Sequence, residues 1–459
     1  MIVARLTRNL AGVALAGAAL FAFSAPAQAI GVLDAYSLAM QKDPTFLAAL
    51  KEKEAGAENE NIGRAGLLPK VSLSYQNSPK NWQQVTSPQR VNIFSNETID
   101  VTTRQQYRSY SGSVTLTQPL IDYAAYARYR TGVAQTLMSD ERFRGKFMDL
   151  AVRVVSAYVD VAYARDQIAL AEAQKAAYQE QLALNDRLLK AGEGTVTDVS
   201  ETQARFSLAE AQAIEARDAL DAAQRELEVI IGLPLDQLET LRGLRPGKFQ
   251  VAPLTPTTFD GWREKAIAHN PTLAAARHGV EAAEYEVERN RAGFFPQVQL
   301  YASHSENDSS SDNTVNQKYR TNSIGIQVSM PLYSGGGVAA STRQAAASYG
   351  QAKYEMDAQV GSTLNDLRKQ FNLCLSSRAK LAAYELAVKS ATEQVDATRK
   401  SVLAGQRVNV DVLNAEQQLY SAKRDLASAK YTYIKAWVSL LNGAGALDQG
   451  HIQQIAKYF

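Results

Sequence analysis

A turn motif that occurs twice constrains this chain more than any other feature of its sequence. Residues 191–199 read AGEGTVTDV, and residues 404–412 read AGQRVNVDV. Each copy ends one long helical pattern and begins another. Glycine after a periodic segment is a C-cap signal, and the Thr, Asn or Asp that follows can cap the next helix. The motif predicts a tight turn between two antiparallel helices, formed twice.

Further landmarks repeat in the same order along the chain. The segment AGLLP at residues 65–69 returns as AGFFP at 292–296, and DPT at 43–45 returns as NPT at 270–272. The spacing between the copies is constant apart from one longer loop in the first half. Two halves with the same order of landmarks predict an internal structural duplication.

The duplication sets the division of the chain. Residues 1–29 have the pattern of a signal peptide, because Arg5 and Arg8 precede an apolar run at 10–23 and Ala-Gln-Ala at 27–29 is a cleavage site. A membrane anchor is less favoured, since the run is short and ends at the cleavage pattern. The remaining divisions are a first repeat at 30–232, a connector at 233–260, a second repeat at 261–443 and a C-terminal tail at 444–459.

The sequence predicts an exported chain that neither helices nor lipid hold in a membrane. No apolar run after residue 29 is long enough for a transmembrane helix, and no Cys stands at the predicted mature N-terminus. The single Cys374 can form no internal disulfide. Lys+Arg 49 against Asp+Glu 47 is nearly balanced without a basic cluster, so nucleic acid is not an expected partner.

The residue patterns that enzymes and metal proteins require are missing from this sequence. Gly335-Gly336-Gly337 is not followed by Gly-Lys-Ser/Thr, so a flexible joint is favoured over a phosphate loop. Metal-ligand spacing is missing among the four histidines, which are His269, His278, His304 and His451. No nucleophile stands beside a base. We predict no catalytic residue, no cofactor and no metal.

Each half contains one pair of alternating segments. Alternation at residues 71–75 and 110–117 predicts two strands of about ten residues in the first half, with the polar stretch at 77–106 as a loop. Alternation at 298–302 and 324–330 predicts the second pair. Every strand has one apolar and one polar face.

Long helical patterns follow each pair of strands. Residues 122–190 and 338–403 read as single helices of roughly 100 Å. After each turn a shorter helix follows, at 197–231 and 410–441. These shorter helices carry heptad seams, which predict packing along a neighbouring helix with a left-handed supercoil. The seams are Thr202, Phe206, Ala209, Ala213, Ala216, Leu220, Ala223 and Leu227, and then Ala415, Leu419, Ala422, Leu426, Ala429, Tyr433, Ala436 and Leu440.

The four strands decide between a coiled coil and a membrane channel. Their length and alternation suit tilted strands that cross a bilayer, although half of a soluble sheet is an equally good interpretation of each strand alone. Four strands cannot close a barrel, and an open edge in lipid would leave backbone groups unpaired. Several chains must therefore share one barrel, with a helical tube extending away from it.

The order of these landmarks resembles the TolC family of outer-membrane efflux proteins over essentially the whole mature chain. The resemblance rests on Asp43-Pro44, Leu67-Leu68-Pro69, Thr117-Gln118-Pro119-Leu120, Thr197-Asp198-Val199, Pro331-Leu332-Tyr333-Ser334-Gly335-Gly336, Gly405-Gln406-Arg407 and Asp411-Val412-Leu413-Asn414-Ala415. It implies an α+β membrane protein that forms a homotrimer, with a shared twelve-stranded transmembrane β-barrel and an α-helical barrel across the periplasm. The connector and the C-terminal tail are then expected in an equatorial band.

The resemblance also implies partners and a function. The partners are a periplasmic adaptor (membrane fusion) protein, an inner-membrane ABC transporter or RND pump, and outer-membrane lipid of a Gram-negative bacterium. The expected function is a passive exit duct, and the missing lipid anchor favours type I protein secretion. A multidrug or metal efflux channel is the first alternative, and a periplasmic coiled-coil adaptor or binding protein is the second.

The same resemblance assigns site residues near the two turns. The turn residues Ala191, Gly192, Ala404 and Gly405 are expected to contact the partners. Asp411 and Asn414 are expected in a pore selectivity ring. The alternative interpretation, that Asp411 only caps its helix, is nearly as well supported. Thr197, Asp198 and Arg407 are expected to link helix pairs around a closed mouth. The alternative interpretation is that Arg407 is only a solvated residue of the turn.

Overall fold

The computed structural model describes most of the chain from residue 30 onwards. The described residues are 30–91, 94, 97–232, 241–245, 247–310 and 317–459. The predicted signal peptide therefore lies outside the described residues, as do parts of the predicted connector, at 233–240 and 246, and both strand-connecting tips, at 92–93, 95–96 and 311–316.

Within these ranges the two halves repeat one order of elements. The first half consists of α1 (Val32–Lys42), α2 (Pro44–Arg64), β1 (Lys70–Arg90), β2 (Thr98–Ile121), α3 (Tyr123–Ala191) and α4 (Val196–Ile231). The second consists of α5 (Phe259–His269), α6 (Pro271–Arg291), β3 (Gln297–Ser309), β4 (Lys318–Ser329), α7 (Gly337–Leu403) and α8 (Asn409–Gly443), and α9 (Gln449–Ala456) follows. The duplication seen in the sequence is thus present in the fold.

The repeated DPT and NPT segments start equivalent helices. The Asp43 side chain accepts a hydrogen bond from the Thr45 amide at 3.2 Å, and Asn270 accepts one from the Leu273 amide at 3.1 Å. The proline that follows each cap occupies the first helical turn, where its missing N–H costs nothing. Both caps are buried, so the kink before α2 and α6 is fixed within the packed region.

The long helices pack as two hairpins, α3 with α4 and α7 with α8. The longest two have 69 and 67 residues, or roughly 100 Å each at 1.5 Å per residue. Every predicted seam residue on α4 and α8 is buried or half-buried. The heptad prediction is therefore confirmed as a packing seam. No helix in the described ranges combines the length and the hydropathy that crossing a bilayer requires.

The described strands form one antiparallel sheet in the order β1-β2-β3-β4, so the two halves meet between β2 and β3. β1 and β2 have 21 and 24 residues, twice the expected length. The prediction of a loop at 77–106 is wrong, because the hairpin continues through polar pairs such as Thr86 and Thr102, whose hydroxyls lie 2.9 Å apart.

The two prolines that suggested a loop are accommodated in β1. Pro79 falls where the register shifts between Ser78 and Asn81, and Pro88 lies on an edge strand, where a missing donor is tolerated. The stretch at 77–106 is polar because it forms the part of the hairpin that extends beyond the apolar rows. Its polar composition does not mark the end of the strands.

The main core lies midway along the helices, where the connector and the tail pack on α3 and α8. The Tyr433 hydroxyl accepts a hydrogen bond from the Ala252 amide at 2.7 Å, and the Tyr458 carbonyl accepts one from the Arg245 amide at 2.8 Å. Tyr158 donates to two backbone carbonyls, and burial raises its pKa to about 12. Cys374 is also buried here, which raises the pKa of its thiol to about 12.

Candidate functional site

The first helical turn is held by a glycine and a capping box. Gly192 ends α3 with φ 81°, a left-handed conformation that glycine adopts without strain. Thr195 then caps α4: its hydroxyl accepts from the Asp198 amide at 3.1 Å, and the Asp198 carboxylate accepts from the Thr195 amide at 3.3 Å. The Asp198 carboxylate is therefore occupied within its own turn, while Thr197 is exposed.

The second turn has the same glycine but no capping side chain. Gly405 has φ 73°, and Val408 occupies the N-cap position of α8 without a side-chain hydrogen bond. Asp411 stands in the first turn of that helix, and among the described residues its carboxylate has no hydrogen-bond or ion-pair partner. The alternative role of Asp411 as a helix cap therefore has no hydrogen bond to support it in this chain.

Arg407 is exposed in the second turn, and the structure shows no pair between it and Asp198 within one chain. Among the described residues the Arg407 guanidinium has no hydrogen-bond or ion-pair partner. A link between these two residues would have to join neighbouring chains, so their role at the mouth stays a prediction. The same holds for Thr197.

A polar network that the sequence analysis missed joins the two hairpins. The Asn409 amide oxygen accepts from Gln181 Nε2 at 2.7 Å, and its amide nitrogen donates to the Thr202 hydroxyl at 3.2 Å. Asn185 donates to the same hydroxyl at 2.8 Å. Asn185, Thr202 and Asn409 are at most 9% exposed. A buried network of this kind fixes the position of α8 against α3 and α4.

A second polar contact crosses the same boundary nearer the surface. Arg205 on α4 donates to the Asn414 side chain at 3.1 Å and also to Gln417, both on α8. Asn414, predicted in a pore ring, is thus held by a residue of its own chain. We call the contacts of Asn409 and Arg205 with their partners across this boundary the inter-hairpin clamp.

An ion pair with a buried carboxylate lies beside the clamp. Glu416 on α8 is 1% exposed, and Arg399 on α7 donates to its Oε1 at 2.5 Å. The hydrogen bond to Glu416 raises the pKa of the Arg399 guanidinium, and burial raises the pKa of the neighbouring Tyr178 phenol. Both side chains therefore contribute to the packing of α8 beside the clamp.

One sequence signal could have revealed the clamp. Thr202 opens the α4 seam, where the other members are apolar. A polar residue in such a seam often fixes register through a buried hydrogen bond. The partners Gln181 and Asn409 come from other helices, and their approach depends on tertiary packing alone.

The long paired hairpins, the open antiparallel sheet and the helical turns define one kind of protein, a subunit of an outer-membrane channel. The sequence profile described as outer membrane efflux protein matches residues 35–233 and 262–446. The chain belongs to this outer membrane efflux protein family, as its resemblance to the TolC family predicted. The family consists of membrane channels rather than enzymes, and the chain is an outer-membrane protein of the Gram-negative type.

Curated relatives cover nearly the whole chain. Alkaline protease secretion protein AprF of Pseudomonas aeruginosa is 49% identical over 97% of this chain and 90% of its own length. Proteases secretion protein PrtF of Dickeya chrysanthemi is 45% identical over 94% of this chain and 92% of its own. Outer membrane protein TolC of Escherichia coli is 26% identical over 95% and 86%.

Solved structures show the same fold. The outer membrane protein VceC of Vibrio cholerae superposes with a TM-score of 0.74 at 16% identity, covering 90% of this chain and 96% of that one. The CmeC outer membrane channel of Campylobacter jejuni gives 0.73 at 14% identity, with 93% and 89% covered. The predicted α+β fold class, with long helices carrying four strands, is confirmed.

Proposed function

We propose that this chain is the outer-membrane exit duct of a type I protein secretion system. The identity of 49% and 45% to two protease secretion proteins over nearly their full lengths carries the proposal. Relatives named for efflux match less of the chain, as with the solvent efflux pump outer membrane protein SrpC at 26% over 60% of it. The duct conducts passively, and its energy comes from partners.

Complementation tests this function directly. In a Pseudomonas aeruginosa strain that lacks AprF, expression of this chain should restore protease in the culture supernatant. The reason is that this chain is similar to AprF over nearly its whole length, so the proteins that bind AprF should also bind this chain. Supernatant protease activity is the measurement, with the empty vector as control. Protease that stays inside cells containing correctly localised chain would contradict the proposal.

The same proposal includes the assembly and its partners. Three identical chains close a twelve-stranded barrel, and their helices form a tube across the periplasm. An adaptor (membrane fusion) protein and an inner-membrane ABC transporter dock at the tube end. The turn residues there are all exposed, and they are Ala191, Gly192, Ala404 and Gly405. An RND pump is the alternative partner.

The trimer is expected because the sheet has two open edges, β1 and β4. Unpaired backbone groups at these edges are costly in lipid, and three sheets joined edge to edge satisfy them. Native mass spectrometry of the detergent-extracted protein should give three chains, with a heat-denatured sample as the monomer reference. A purely monomeric native species would exclude the shared barrel.

We further propose that Asp411 forms a ring of three carboxylates at the mouth. Its carboxylate has no partner among the described residues of its own chain, whereas Asn414 is held by Arg205. A narrow carboxylate ring favours cations. In planar bilayers, Asp411→Ala should lower the preference for K⁺ over Cl⁻, and Asp411→Glu should keep it. Equal selectivity in wild type and Asp411→Ala would reject the ring.

A further inference from the structure

The register of the sheet sorts side chains onto two distinct faces. Val71, Leu116, Ala302 and Ile324 stand side by side on one face, and the adjacent residues Ser72, Thr115, Ser303 and Ser323 form the matching row on the other. In a bilayer the apolar face contacts lipid and the polar face lines the water-filled interior. The second row therefore faces the lumen of the proposed barrel.

The lumen face carries no charge over most of its height. The next row upwards is Ser74, Ser113, Ser305 and Thr321. The register-paired residues above it on this face are also uncharged: they are Ser, Gln, Asn and Tyr and, higher up where only β1 and β2 pair, also Thr, Val and Ile. Among the register-paired residues of the described strands, Lys70 at the base is the exception on this face. Charged residues would hydrate the lumen equally well. The need for a water-filled interior therefore does not explain why this face is uncharged.

Charged residues are plentiful on the opposite face of the same strands. Glu306 pairs with Arg320 and Asp308 with Lys318 in the register, all on the side of the apolar row. Glu306 accepts from Lys318 and lies 3.4 Å from Arg320 Nε, so these charges neutralise one another. The outward face thus carries charge just beyond its apolar rows, while the inward face at the same height carries none.

We propose that the barrel lumen above Lys70 is a charge-free passage suited to unfolded polypeptide of either charge, an inference that rests on the proposed secretion function. A charged ring in a confined, low-dielectric wall concentrates ions of opposite sign and would hold oppositely charged segments of a cargo. A polypeptide carries both signs along its length. Neutral hydroxyl and amide groups exchange hydrogen bonds with water and cargo without selecting a charge.

This inference separates two parts of the duct. The barrel passes cargo without regard to charge, and charge selectivity belongs to the helical tube and its mouth. Adding one carboxylate per chain to the lumen face must then create a selectivity that the barrel lacks. The same carboxylate on the outward face must leave permeation unchanged.

Planar-bilayer recordings on the Asp411→Asn trimer test the lumen, since this background removes the proposed mouth ring. Ser74→Asp, which places three carboxylates in the lumen, should raise the K⁺ to Cl⁻ permeability ratio about threefold or more. The matched control is Gln106→Asp, which lies on the outward side of β2 and should leave the ratio unchanged. An unchanged ratio in Ser74→Asp, or an equal rise in the control, would overturn the assignment.

Peptide dwell times test the cargo class in the same recordings. A cationic and an anionic peptide of equal length, added from the extracellular side, should block the Asp411→Asn channel for times within about twofold of each other, whereas Ser74→Asp should prolong only the cationic events. A tenfold difference in the Asp411→Asn channel would reject the charge-free lumen. If the trimer conducts but does not give these dwell times, the charge-free lumen alone is rejected. If the trimer never inserts into the bilayer, the proposed duct is rejected.

Discussion

Chains carrying Gly132→Val should fail to assemble into the outer-membrane trimer. Gly132 lies on α3 where α2 crosses it, and a Cβ atom at this position would lie 3.0 Å from the Asn59 backbone carbon and closer still to its carbonyl oxygen. Backbone atoms cannot move aside as a flexible side chain can. The substitution must separate the two helices, at a cost of about 3 kcal/mol or more.

The same crossing uses glycine from the other helix. A Cβ on Gly63 of α2 would lie 2.9 Å from both the Arg128 oxygen and the Tyr129 Cα. One turn beyond Gly132 on α3, the Thr136 hydroxyl accepts from the Glu60 amide at 3.2 Å and donates to a backbone carbonyl of α2. Separation of the helices would therefore break hydrogen bonds as well as apolar contacts.

The crossing matters to assembly because α2 leads into β1 and α3 follows β2. The Gln118 side chain donates to the Leu67 carbonyl at 2.9 Å, which ties the base of the hairpin to this crossing. A shift of α2 against α3 moves the strands that must meet those of the next chain.

The measurement is the amount of heat-dissociable trimer in purified outer membranes. Gly361→Ala on α7 is the matched control, since Gly361 is helical and has open space where its Cβ would stand. It should keep or slightly raise the trimer yield, because alanine favours helix over glycine by roughly 1 kcal/mol. Wild-type trimer levels from Gly132→Val would show that the crossing tolerates separation.

The sequence predicted the helical part of this fold well because its signals are local. Glycine at Gly192 and Gly405, the caps Asp43 and Asn270, and the 3.5-residue seams each act within a few residues. The extent of β1 and β2 could not be obtained in this way. Apolar alternation weakens where the strands extend beyond the apolar rows, yet the backbone ladder continues through pairs such as Gln84 with Arg104.

The local contacts of the turn residues could be predicted from the sequence, whereas their roles at the mouth stay predictions. The residues T-x-x-D at 195–198 are a capping-box pattern, and the structure uses the Asp198 carboxylate in that way. The inter-hairpin clamp depends on Asn409 and Arg205 meeting residues far away in sequence. Neither spacing nor charge pattern marks such a meeting, apart from the polar Thr202 in an apolar seam.

Removal of the inter-hairpin clamp should have the second large effect, which is on closure of the tube. If the mouth opens by movement of the α7–α8 hairpin away from α3 and α4, the contacts of Asn409 and Arg205 must break in every chain. Each hydrogen bond has a net worth of about 1 kcal/mol. Loss of a single such bond in each of three chains already biases a concerted gate by about 3 kcal/mol, or on the order of a hundredfold in open population. The double variant removes more than one bond per chain.

Arg205→Ala/Asn409→Ala trimers should therefore show a resting conductance far above wild type in planar bilayers. Arg225→Ala is the matched control, because Arg225 also lies on α4 but pairs with Asp221 of its own helix at 2.9 Å. It should leave the resting conductance unchanged. Trimers of the double variant that conduct like wild type would remove the clamp from the gate.

Salt distinguishes this clamp from the proposed Asp198–Arg407 link between chains. Arg205 and Asn409 bond to neutral amide and hydroxyl groups, so the clamp has no opposite charge for salt to screen. An exposed ion pair is screened once the Debye length falls to about 3 Å near 1 M salt. If the clamp holds the mouth, wild-type and Arg407→Ser channels should both remain closed at high salt, after scaling for bulk conductivity. Opening of wild type by salt, matched by Arg407→Ser at low salt, would instead assign closure to the ion pair.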